Sequence, residues 1–72
     1  MNINGDNDLV SLFTYHAPKG DQAHRYEAIR EAGLRMAREI FLHCPNSPER
    51  TLALRDVQRA VMMANASIAV NE

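Results

Sequence analysis

The chain is short of almost everything that holds small proteins together. Its one cysteine, Cys44, rules out an internal disulfide, and no two of His16, His24 and His43 have the i, i+4 spacing of a helical metal site. There is no tryptophan, and Phe and Tyr number two each. No stretch approaches the roughly 18 apolar residues of a membrane span. The start, MNINGDND, lacks the basic residues, apolar run and cleavage site of a secretory leader, so a cytosolic protein is expected. Positive charge is not in excess either. A formal net charge of −1 argues against a surface for DNA or RNA duplexes, whose nonspecific affinity comes from surplus Lys and Arg. Catalysis lacks parts as well: His43–Cys44 is the one Cys/His adjacency, and a working thiol needs an orienting base and an oxyanion hole from a larger scaffold. No enzyme, metal or cofactor is expected.

What the chain does have is helix formers and arginine. At 72 residues it makes one domain at most, with a core that gives marginal stability, and self-association is the usual remedy. Residues 1–8 read as a disordered leader and Leu9 to Phe13 as a short apolar arm, too short to assign to helix or strand. Pro18, Lys19 and Gly20 break the chain, and Asp21 is a suitable N-cap for helix formers that run to Cys44, where Pro45 forbids continuation. After CPNS a second helix starts cleanly, with Ser47 as N-cap, Pro48 in the first helical position and Glu49 beside the positive dipole end. The sequence thus predicts an all-α fold: a leader over 1–8, then a hairpin domain over 9–72 with antiparallel helices at about 21–44 and 48–70.

Placing residues at 100° intervals shows what the hairpin would bury. Leu54, Val57, Val61, Ala64 and Ile68 form a 3,4,3,4 seam on the second helix, while Met62, Met63, Ala66 and Ala69 lie beyond it. The first helix has a broad apolar arc that includes Tyr26, Ile29, Gly33, Leu34, Ala37 and Phe41. Two helices share one face, so the surplus predicts a homo-oligomeric helical bundle.

Seven of the eight cations are Arg, a group that grips phosphate or carboxylate in a planar fork and stacks on flat rings. Most have a plain reading as solvated helix-face charges: Glu31 with Arg35, and Asp56 with Arg59, have the spacing for ion pairs. Arg35 and Arg38 point to solvent, whereas Arg30 falls within the apolar arc, where a guanidinium at least half-buried needs an anion. A carboxylate of a neighbouring subunit or a ligand phosphate would serve. The tail adds an aromatic platform, since Tyr15 and His16, held near the helix by Ala17–Pro18, offer rings for a base to stack on while Arg25 or Arg30 faces its phosphates. The start of the second helix, with Arg50, is either a further anion site or an ordinary capped terminus.

Four stretches in order, YHAP (15–18), RYEAIREA (25–32), CPNSPERTLAL (44–54) and VMMANASIA (61–69), resemble the phage anti-CBASS protein 2 family, helical-hairpin sponges that share their hairpin domain with an anti-Thoeris sponge. The resemblance covers residues 15 to 70. It implies a noncatalytic function: hexamers that sequester cyclic oligonucleotide second messengers, including cyclic dinucleotides such as 3′,3′-cGAMP, in the cytoplasm of the infected bacterial host. In such members the dinucleotide lies between protomers, an N-terminal Tyr stacks on a base, and a basic residue about fifteen positions later meets phosphate. Tyr15 and Arg30 match those positions. A separate pocket for cyclic trinucleotides is also implied, without residues to assign. This chain departs from the family pattern at Met62–Met63, where Met-Trp is common, and at Val70–Asn71, where a basic residue is common. The candidate ligand-binding set is Tyr15, His16, Pro18, Lys19, Arg25, Tyr26 and Arg30. From a different class, a helical adaptor module binding a protein, with Arg30 in an intersubunit salt bridge, accounts for the same residues.

Overall fold

Ser47 supplies the clearest start signal in the chain, and it works as the sequence predicts. In the computed structural model, which describes residues 2–72, its Oγ accepts the Arg50 amide at 3.1 Å, and Pro48 occupies the first turn, where its missing N–H costs nothing. Three helices make up the described chain: α1 (Asp6–Leu12), α2 (Gln22–His43) and α3 (Pro48–Asn71). The two long helices end within about one residue of their expected limits. Asp21 stands at the N-cap of α2, but its carboxylate makes no capping hydrogen bond and turns to Arg25 instead.

The leader expected over residues 1–8 begins outside the described residues, and from Asp6 onward it is helical. α1 takes in most of the apolar arm, with Asp6 and Asp8 in its first turn, where negative charge suits the helix dipole. Asn4 N donates to Asp8 Oδ2 at 2.8 Å, giving the start of α1 a side-chain anchor.

α2 and α3 fold back on each other around Gly33. A Cβ at that position would stand 2.4 Å from Val61 Cγ2, so the missing side chain is what lets the two helices meet. The seam is nevertheless shallow. Among the described residues no apolar side chain is buried, and the sole buried residue is polar, Gln22 at 4% exposure. The chain exposes 5754 Å², against about 4,500 Å² for a compact monomer of this mass. Leu34, Met36, Phe41, Leu42, Met62 and Met63 are all exposed, as the one-shared-face argument requires. Among the described residues no helix is long and apolar enough to cross a membrane.

Candidate functional site

Gln22 is the centre of a polar knot at the open end of the hairpin. Its Oε1 accepts the Lys19 amide at 3.2 Å and lies 3.5 Å from the Tyr26 hydroxyl, while its Nε2 donates to Glu72 Oε1 at 3.4 Å. Arg25 grips the same Glu72 with both ends of its fork: Nη1 donates to Oε2 at 3.0 Å and Nη2 to Oε1. Its Nε lies 3.3 Å from Asp21 Oδ1, a close ion contact without hydrogen-bond alignment. Hydrogen bonding from Arg25 holds the Glu72 carboxyl below its ordinary range, against the opposing pull of desolvation, with the Gln22 bond adding in the same direction. The Arg25 guanidinium is raised correspondingly, first by its bond to Glu72.

Arg25 is therefore engaged within the chain rather than free to face a ligand phosphate. The sequence argument missed its partners, because Glu72 lies 47 residues away and reads as a solvated charge.

Arg30 occupies a different setting. It lines a groove of about 340 Å³ between the long helices, with Leu34, Leu54, Gln58 and Met62 among its neighbours. The expected half-burial does not occur in the single chain: Arg30 is exposed, because its long stem carries the charged head to the rim of the apolar surface. Among the described residues it has no ion-pair partner within 4.0 Å, whereas Arg25 and His43 do. Arg38, expected to face only solvent, lines the adjoining apolar groove with Ala37, Phe41, Leu42 and Leu54. The Glu31–Arg35 and Asp56–Arg59 pairs do not close among the described residues.

Tyr15 stands on the strap between α1 and α2 and is 84% exposed. The Arg30 groove does not include it, so within one protomer the two lead residues are not joined in one pocket. Its neighbour His16, expected as a second flat ring, is occupied: Nε2 donates to Ser11 O at 2.9 Å. Pro18 and Lys19 are exposed, and Lys19 is tied to Gln22 through its backbone.

At the far end Arg50 is neither free nor simply solvated. Its guanidinium lies 4.5 Å from the Phe41 ring centroid, and it donates to Cys44 O at 3.4 Å and Asn46 Oδ1 at 3.1 Å. These contacts make it a staple for the joint and remove it as a ready anion site. Among the described residues no group of three His, Cys, Asp or Glu is placed to hold a metal ion.

The site elements are thus an exposed ring on a strap, a free guanidinium on an apolar groove, and two ends of a hairpin fastened by other residues. Comparison with family models matches the Acb2/Tad1 hairpin domain over residues 6–69, nearly the whole described chain, α1 included. Comparisons with curated proteins and with solved structures return no match. On the extent of that agreement the chain belongs to the Acb2/Tad1 hairpin-domain family, the family of the anti-CBASS and anti-Thoeris sponges.

Proposed function

We propose that the protein is a phage anti-defence sponge that binds cyclic oligonucleotide second messengers, cyclic dinucleotides such as 3′,3′-cGAMP foremost, and holds them without cleaving them. The observation that carries this reading is the pair of uncommitted recognition groups. Tyr15 is the largely exposed ring on the strap, and Arg30 is a guanidinium left without an anion beside an apolar groove. A base stacked on Tyr15 contributes ~1–3 kcal/mol. A charge-assisted phosphate contact from Arg30 adds ~1.5–3 kcal/mol. Neither reaches the roughly −12 kcal/mol of a nanomolar complex alone, so the contacts are repeated by symmetry.

The site is therefore completed between protomers, Tyr15 of one copy facing Arg30 of another. The absence of a buried apolar side chain among the described residues of the lone hairpin supports such assembly, with a hexamer as the number the family resemblance implies. Function is by mass action in the cytoplasm of the infected host: signal bound to the sponge is signal withheld from the CBASS effector, and it is released unchanged. No step makes or breaks a bond.

Titration calorimetry with 3′,3′-cGAMP tests the reading. Saturable binding with intact ligand recovered after denaturation is expected, and Tyr15→Ala and Arg30→Ala each weaken it at least tenfold, ~1.4 kcal/mol or more, while sedimentation shows the oligomer unchanged. Failure to bind any cyclic di- or trinucleotide overturns it. A second reading, a helical adaptor that binds a protein through its apolar faces, is favoured by exposed Leu34, Phe41 and Leu42. It survives in that outcome if the assembly stays open to a partner.

A further inference from the structure

The strap that carries Tyr15 is fastened at both ends. On the α1 side, Thr14 Oγ1 donates to Val10 O at 2.6 Å and His16 Nε2 donates to Ser11 O at 2.9 Å. The same carbonyls accept the amides of Phe13 at 3.1 Å and Thr14 at 3.4 Å. Last-turn carbonyls have no partner inside their own helix. α1 has no basic residue in its last turn, so these strap side chains complete its C-terminal end. On the α2 side, Lys19 N donates to Gln22 Oε1 at 3.2 Å and Gln22 N donates to Lys19 O at 3.1 Å, a reciprocal pair built on the buried Gln22. Gly20, at φ +58°, makes the turn between the strap and α2, and Pro18 fixes one further φ.

Tyr15 is the residue between the two side chains committed to α1. With Thr14 and His16 both directed back at the helix, Tyr15 is left 84% exposed. A large ring this exposed gains nothing from burial, yet the backbone on both sides of it is held.

We propose that α1 with its cap is a pedestal for Tyr15, and that Thr14 and His16 are positioning residues that fix the backbone from which the ring projects before a ligand arrives, not ligand contacts. A ring whose backbone is already placed has less freedom to lose on binding, so the stack costs less to form. The inference rests on the reading of Tyr15 as the stacking group, and it gives α1 a part in binding that requires no contact between α1 and ligand.

The chain has no Trp and only two Tyr, so in a Tyr26→Phe background tyrosine emission reports Tyr15 alone. Time-resolved anisotropy of that protein without ligand is expected to show a restrained ring. Adding His16→Ala or Thr14→Val increases the fast depolarisation, with the far-UV signal of α2 and α3 retained, and His16→Gln, which keeps an N–H donor, restores the restraint. In titrations with 3′,3′-cGAMP, His16→Ala weakens binding about three- to tenfold, the scale of one net hydrogen bond, and His16→Gln recovers most of it. Unchanged anisotropy in both His16→Ala and Thr14→Val overturns the pedestal. So does weakened binding in His16→Ala with an unmoved ring and no rescue by Gln, which makes His16 a direct contact. If Tyr15→Ala binds normally, the stacking assignment is what fails, and anisotropy still judges the pedestal by itself.

Discussion

The two ends of the hairpin are fastened in opposite ways. At the joint every contact is local: Ser47 caps the amide three residues on, and Arg50 reaches back to Asn46, Cys44 and Phe41. At the open end Gln22 and Arg25 reach Glu72 across 50 and 47 residues. Local contacts form as soon as the turn does, with little loop entropy to overcome, whereas the open-end clamp exists only once both long helices are in place. The joint is thus a folding nucleus candidate and the clamp a late lock, and the strap bearing Tyr15 hangs from the late end.

The comparison breaks most severely at the point the two ends share. Gly33→Val puts side-chain atoms into the space held by Val61 and is expected to cost about 2–3 kcal/mol by overpacking. Thermal unfolding by circular dichroism at fixed protomer concentration measures it, and a paired Val61→Ala recovers part of the loss. A cost spread over both ends is expected in amide exchange, since the crossing supports both.

A smaller change separates the ends. Ser47→Ala removes the cap of α3 and is expected to cost about 1 kcal/mol. Exchange should quicken first at Arg50 and Thr51, whose amides bond to Ser47, with the Arg25–Glu72 end following only as global stability falls.

The smallest effect belongs to the clamp, whose groups are partly solvated and screened. Glu72→Gln is expected to raise exchange at the end of α3 and the start of α2 while the joint is unaffected. Its pH signature has a definite sign. Glu72 is held below the ordinary carboxyl value of 4.5, so its contribution is complete above that value and is lost as pH falls through the lowered one. Wild-type protein should lose that increment on acidification, and Glu72→Gln should not.

How legible the molecule was in its sequence follows the same division. Ser47–Pro48–Glu49 and Cys44–Pro45 mark the joint because caps and breakers are local chemistry, and the wheel places Gly33 within the broad apolar arc without singling it out as the crossing point. α1 is not legible as a helix because seven residues carry too little periodicity to separate helix from strand. Gln22 and Glu72 gave no signal: polar residues at helix ends read as solvated until a partner distant in sequence is placed beside them. Arg30 was correctly put on the apolar arc but not at its true depth, since one partner helix covers less than the arc. The chemistry of Arg25 and His16 suits a ligand and an internal partner equally, and in the single chain each has an internal partner.

A molecule whose only buried residue, among those described, is a glutamine has an unusual thermal character. The heat-capacity change on melting follows the apolar surface newly wetted. A lone hairpin has little left to wet, so its stability curve is shallow and nearly flat with temperature. In the proposed oligomer each copy would contribute apolar surface to be exposed later. The curvature of stability against temperature should therefore deepen with protomer concentration, and a series of scans at rising concentration would weigh the interior that one chain does not possess.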